Sequence, residues 1–291
     1  MQPQPDPHEF EFAIICALSR EFNAVEALLD GQYSDINTKR QYGDANFYQT
    51  ARMGASNVVL VCLPEMGKAS AASAAASLRS SFPNISLTLI VGIVLGDVIM
   101  SRQIVKFDFG RQYPGGFERK GVIKDTLDRS NTDVRSLLSA LQTRNMRDRF
   151  QEAHCRHLQH LRDIDHLWAY PGLDKDRLVP SSCEPVTSIG PTPGSDPSGA
   201  PFDGNPIICK RLNTKLAPQP CLHFGPIGSG DTVMKSAKHR DELAHSDNIV
   251  GFEMEGVCDY ADSHKNKDWQ DYAAASAACC AKAFFEFLTE I

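Results

Sequence analysis

Four carboxylates in this chain stand where sheet proteins place their chemistry. Glu21 lies just past the apolar run Phe12-Ala13-Ile14-Ile15-Cys16, Asp231 follows Ser229-Gly230, Glu255 follows the apolar segment 248–252, and Asp259 follows Val257-Cys258. Turns after apolar strands are where doubly wound sheets bind ligands, and an acid held there can exchange a proton with a bound small molecule. Singly, each has a plain structural use: Glu21 in a first helical turn, Asp231 as a cap, Glu255 as a surface charge and Asp259 as a turn former. Their shared placement calls for a chemical explanation.

Other chemistries fail on spacing. Gly67-Lys68 suggests a phosphate loop, but Cys62 stands at the earlier glycine position and Ala69 follows the lysine, so the pair reads as a tight turn into a helix. Ser229 lacks the GxSxG frame of a nucleophile elbow. His154, Cys155, His157, His160 and His166 crowd one helical stretch, yet no second ligand pair has suitable spacing, and a solvated, histidine-rich face is the expectation.

Composition narrows the partners. A chain of 291 residues, 42% hydrophobic and 23% charged, can bury a full core, and a net charge of −6 argues against general nucleic-acid or anionic-membrane binding. A small molecule is the better partner. The opening Met1-Gln2-Pro3-Gln4-Pro5-Asp6-Pro7 has no signal-peptide character, so residues 1–9 are expected as a disordered lead. The longest apolar run, 87–100, contains Asp97 and falls short of the ~20 residues of a membrane span. Nine cysteines without a CxxC pair fit reduced thiols and a cytosolic (cytoplasmic) protein.

Residues 12–16 read as a buried strand, with Ser19 placed to cap a helix that buries Phe22, Val25, Leu28 and Leu29. Segments 47–52 and 57–62 flank Gly54 as a hairpin. An alanine- and serine-rich helix spans 68–78, a buried strand 87–93, a charged helical stretch 131–170, and a Pro/Gly/Ser-rich loop 180–206. The fold resumes at 223–229 and closes with an amphipathic helix over 273–288. No internal repeat is present. Two junctions are anomalous: strand 87–93 runs into Asp97-Val98-Ile99-Met100 with hardly room for a turn, and only four residues separate Glu255 from Asp259. Adjacent parallel strands need a crossover of about a dozen residues or more.

Six motifs carry a family resemblance: Ala17-Leu18-Ser19-Arg20-Glu21, Met66-Gly67-Lys68, Leu95-Gly96-Asp97-Val98, Ser229-Gly230-Asp231-Thr232, Glu253-Met254-Glu255-Gly256 and Cys258-Asp259-Tyr260-Ala261-Asp262. In this order they resemble the purine and uridine phosphorylase superfamily, nearest its nucleosidase branch. Ser263-His264-Lys265-Asn266-Lys267 and Phe109-Gly110-Arg111-Gln112-Tyr113-Pro114 resemble fungal, effector-type members, in which this domain often precedes NTPase or repeat modules. The resemblance implies an α/β fold, a three-layer α/β/α sandwich with a mixed central sheet. It implies one domain over 10–291 with a long helical and Pro/Gly/Ser-rich insertion at about 130–222.

The resemblance also implies site roles. Cleaving an N-ribosidic bond builds positive charge on the ribose and negative charge on the departing base. Glu255 would grip ribose hydroxyls beside Met254 and Glu253, Asp259 would protonate the base, and Glu21 would orient or deprotonate the attacking water. The backbone of Val233 and Met234 would meet the base edge, next to Ser229 and Asp231. The ligand is a nucleoside or nucleotide, no cofactor or metal is required, and a homo-oligomer is compatible. Hydrolysis is favoured over phosphorolysis, because Glu21 would repel phosphate and Arg20 alone is a thin anion site.

Two departures qualify the resemblance. The glycine-rich ribose and base loop after Ile93 is left out, and Gly256 abuts Val257 where the superfamily has a helix and a strand. Lost coding segments and a degenerate paralogue both explain this, and a catalytically inactive nucleotide-binding or sensor module is the rival reading.

Overall fold

The computed structural model describes residues 5–33, 40–65, 67–91, 96–101, 103–120, 124–126, 132–172, 175, 177–178, 207–208, 220–231, 234, 236–253 and 267–290. In chain order the elements are β1 (Phe12–Cys16), α1 (Ser19–Glu26), β2 (Gly31–Gln32), β3 (Phe47–Met53), β4 (Ser56–Cys62), α2 (Lys68–Ser81) and β5 (Leu87–Val91). Then come β6 (Val98–Met100), β7 (Gln103–Lys106), β8 (Gly110–Tyr113), β9 (Gly116–Arg119), β10 (Lys124–Thr126), α3 (Thr132–Ala140) and α4 (Arg144–Ile164). The chain continues through β11 (Arg177–Leu178), β12 (Ile207–Ile208), β13 (Leu222–Phe224), β14 (Ile227–Ser229), α5 (Ala237–Asp247), β15 (Gly251–Glu253) and α6 (Gln270–Leu288).

β1 is the hub of the first sheet, whose order is β2-β3-β4-β1-β5. It pairs in parallel with β4 and β5, setting Ile14 beside Leu60 and Leu89. Alternate side chains leave opposite faces of a strand, so a strand apolar at every position needs cover on both sides. Ile14 and Cys16 join Val58 and Leu60 under α1 and α6, while Ala13 and Ile15 join Val59 and Val61 under α2. Helices on both faces of a sheet with parallel and antiparallel pairs make the three-layer α/β/α architecture the sequence implies. The hairpin is also as expected: β3 and β4 pair antiparallel, and Gly54 turns between them at φ 64°, where a side chain would be strained.

α6 departs from the amphipathic expectation, being buried on nearly every side from Tyr272 to Phe287. Its alanines face β1 and α1, Phe284 and Phe287 pack into a second cluster with Leu137 of α3 and Phe150 of α4, and Leu158 and Leu161 of α4 reach the main core. Each fully buried phenylalanine contributes roughly 2 to 3 kcal/mol. Small residues elsewhere let the helices approach closely. The histidine face is solvated at His160 and His166 as expected but not at His154, which is 3% exposed, with its Nε2 2.9 Å from the carbonyl oxygen of Ser276, whose Oγ donates to the carbonyl of Gly96 at 2.8 Å. Burial drives the His154 pKa down to about 4, so it is neutral at pH 7. His157 faces Glu286 at 3.0 Å.

The second sheet runs β10-β7-β14-β15, with β7, β14 and β15 mutually parallel. β6 and β13 form a separate parallel pair, so among the described residues the two sheets share no strand. β5 is left as an edge although it is a parallel, apolar strand, and Ile90 is 57% exposed. Edges of this kind are ordinarily paired or covered. Gly96, shortly before β6, is held at φ 76° with no room for a Cβ against Tyr272. Within the stretch expected as a loose lead, Pro7–Glu9 wind a 3-10 turn capped by Asp6. The loop expected at 180–206 lies outside the described residues.

Candidate functional site

The carboxyl ends of β1, β4, β7 and β14 carry the polar groups of interest. At the first of these, α1 starts without the serine cap the sequence suggests: Leu18 is the capping position and Ser19 is the first helical residue. Glu21 does the work instead. Its Oε2 accepts from the N–H of Ala17 at 2.8 Å and of Leu18 at 2.9 Å, satisfying backbone donors that a helix start leaves unpaired. The residue is 2% exposed, so a carboxylate is fixed beneath the end of the central strand. Burial, then the charge of Glu21, pushes the thiols of both Cys16 and Cys62 upward, which keeps them protonated and unreactive at neutral pH.

A shallow cavity of about 380 Å³ opens beside this helix start, lined by Ser19, Phe22, Asn23, Phe47, Cys62 and Pro64 among others. Arg20 points to Asp271 of α6 at 2.8 Å.

Past β7 and β14 a charged cluster joins three elements. Lys68, the first residue of α2, places Nζ 3.1 Å from Asp108 Oδ1 and 3.3 Å from Asp231 Oδ2. The backbone N–H of Asp231 donates to Asp108 Oδ2. Burial opposes the charged form of Asp108, but the Asp231 N–H and Lys68 outweigh it and hold its pKa below the ordinary carboxylate value. Gly230 is obligatory here, since a Cβ would fall 2.5 Å from the Phe107 ring and 2.9 Å from Asp108 Oδ2.

Of the expected site residues, Glu21, Ser229, Asp231 and Met234 are placed. Ser229 ends β14, Asp231 sits in the charged cluster, and Met234 is buried with Val105, Phe107 and Leu243. Glu253 is the last residue of β15, paired in register with Ser229. Val233, Met254, Glu255 and Asp259 lie outside the described residues. Glu21 and Asp231 stand at the ends of different sheets, and Lys68, at the start of the helix that follows β4, reaches Asp231. Lys68 and Asp108 are the additions that sequence reasoning missed. Asp108 closes an apolar strand end, as the other acids do, and that signal was available.

No family model matches the chain. It is 30% identical to a nucleotide-binding leucine-rich repeat (NLR)-like protein of the fungus Hyaloscypha variabilis over 314 aligned positions, which take in 97% of this chain. The chain spans 30% of that relative's length. An alignment of 314 positions onto a 291-residue chain opens gaps on this chain's side, so the relative carries residues within the span that have no counterpart here. Among solved structures, futalosine hydrolase of Helicobacter pylori superposes with a TM-score of 0.54 at 13% identity, covering 96% of this chain and 98% of that one. The 5′-methylthioadenosine/S-adenosylhomocysteine nucleosidase of the same organism gives 0.51 at 13% identity, covering 97% and 98%. The chain thus has the fold of the nucleosidases in the purine and uridine phosphorylase superfamily, as its motifs imply.

Proposed function

We propose that the carboxyl-end site of this chain is built to hydrolyse the N-ribosidic bond of a nucleoside or nucleotide. The observation that carries the reading is the fixed, buried carboxylate of Glu21 at the end of the central strand, on a fold whose solved examples are nucleosidases. In this reading Glu21 orients the attacking water, Glu255 and Glu253 hold the ribose hydroxyls with Met254 against the sugar, and Asp259 protonates the leaving base. Ser229, Asp231, Val233 and Met234 line the base side. The solved methylthioadenosine nucleosidase is complexed with an aminopyrrolopyrimidine-bearing pyrrolidinol, which suits a purine-like ligand here.

Water is favoured over phosphate because the cations near the strand ends are already matched by carboxylates. Arg20 faces Asp271 at 2.8 Å, and Lys68 faces both Asp108 and Asp231. A phosphate would have to displace those partners. The test is product analysis after incubation with adenosine, inosine, uridine and ATP. Free base with free or phosphorylated ribose, independent of added phosphate and lost in Glu21→Gln, is the expected result; ribose 1-phosphate as the main product would move the protein to the phosphorylases.

Two observations favour a second reading, that of a catalytically inactive nucleotide-binding module: the edge of β5, open among the described residues, and the step of only four residues in sequence from Glu255 to Asp259. Binding of adenosine without base release would select it.

A further inference from the structure

We infer that Asp108 and Lys68 are positioning residues for the Ser229-Gly230-Asp231 turn, an inference that rests on reading that turn as part of the nucleoside site. The turn is gripped at each of its parts. The Phe107 N–H donates to the carbonyl of Ser229 at 3.3 Å, Gly230 packs on the Phe107 ring with no space for a side chain, and the Asp231 N–H donates to Asp108. The Asp231 carboxylate is then held by Lys68 at 3.3 Å. Backbone and side chain of one residue are therefore fixed by two partners that are themselves paired at 3.1 Å.

An ordinary surface ion pair contributes little and holds nothing in place. This cluster differs in two respects. Asp108 has 17% of its side chain exposed and spends one oxygen on a backbone donor, a charge-assisted bond of the stronger kind. Lys68 comes from the helix that follows β4 of the first sheet, whereas Asp108 and Asp231 follow strands of the second. The cluster thus sets where the β14 turn stands relative to the β4 end before any ligand arrives. Precise placement of this kind depends on supporting residues that never touch the substrate.

The test uses the full chain and its Asp108→Ala, Asp108→Asn and Lys68→Met variants. Amide exchange of Asp231 is read by NMR, and adenosine turnover gives KM and kcat separately. In Asp108→Ala the Asp231 amide should exchange about tenfold faster or more, while amides in β1 and β4 stay protected. Asp108→Asn keeps an acceptor oxygen and should lose less; Lys68→Met should act in the same direction and remains informative if Asp108→Ala does not fold. Poor seating of the ligand should raise KM about tenfold with kcat nearly unchanged, whereas a merely structural defect lowers kcat through the active fraction and leaves KM alone. Unchanged Asp231 exchange, or a fall in kcat with KM unmoved, overturns the inference. Wild-type protein that neither binds nor cleaves adenosine would defeat the functional reading instead, and the amide exchange would still decide whether Asp108 braces the turn.

Discussion

β1 and β5 are both parallel, apolar strands of five residues, paired with each other in register, and they end in opposite circumstances. β1 has β4 on one side and β5 on the other, with helices over both faces, and Ala13, Ile14 and Cys16 are fully buried. β5 has β1 on one side and, among the described residues, no strand on the other; Ile90 is exposed and Leu89 only half-buried. Composition does not separate them: Leu87-Thr88-Leu89-Ile90-Val91 suits a central strand as well as Phe12-Ala13-Ile14-Ile15-Cys16 does. The difference lies in what is available to cover them. Six residues of sequence separate β5 from β6, and Glu255 stands only four residues before Asp259, where the resemblance implies a helix and a strand. Among the described residues the sheet is closed around β1 and open at β5.

The largest expected effect comes from closing that gap. Inserting a family-like helix and strand after Gly256, with a glycine-rich loop after Ile93, should supply β5 with a neighbour and bury side chains such as Ile90. At roughly 25 cal/mol per Å² the gain is several kcal/mol, a rise in melting temperature of about 5 to 15 °C. Thermal unfolding followed by circular dichroism checks this. No rise on insertion would mean that the β5 edge is satisfied as it stands.

Paired substitutions sharpen the comparison at smaller scale. Ile14→Ala should cost about 2 to 5 kcal/mol by leaving a cavity under α6, while Ile90→Ala should cost less than about 1 kcal/mol in the present chain. In the chain with insertions the Ile90→Ala cost should rise toward that of Ile14→Ala, as urea titrations would show. Equal costs before insertion would remove the distinction between the strands.

The helical layer supplies a pH-dependent effect of similar or smaller size. His154 has a folded pKa of about 4 against 6.5 unfolded, so the unfolded chain takes up a proton first. Its contribution is fully present above pH 6.5 and is lost as pH falls from there toward 4, on the order of 3 kcal/mol in total. A His154→Gln variant should show a flatter stability profile across pH 4 to 6.5. A wild-type profile already flat in that window would contradict a buried, neutral His154.

What the sequence revealed, and what it hid, follows the range of the interactions. The strands 12–16 and 56–62 and the helix from Lys68 are set by local periodicity and turn residues, and all were legible. Glu21 was legible as a first-turn acid, but the choice of carboxylate over Ser19 as the capping group depended on backbone geometry. The Lys68, Asp108 and Asp231 cluster was hidden because its members are 40 and 123 residues apart, and charge pairing at that distance leaves no periodic trace. His154 was misjudged because the charged composition of α4 masked its place on the stripe of Phe150, Ala153, Leu158 and Leu161 that meets α6. The roles of Glu255 and Asp259 were carried by motif resemblance alone.

The central proposal is that this chain carries a nucleosidase site whose sugar and base halves would need a longer crossover between Glu255 and Asp259 to meet. Base release from adenosine should therefore be measured for the present chain, for the chain with both insertions, and for the latter carrying Asp259→Asn. The account predicts slow but measurable turnover in the first, at least about tenfold faster turnover in the second, and loss of turnover in the third with adenosine binding kept within about tenfold, because an amide keeps the shape of the acid but delivers no proton. Cooperative unfolding and full turnover of the present chain without insertions, or an unchanged rate in Asp259→Asn, would contradict it.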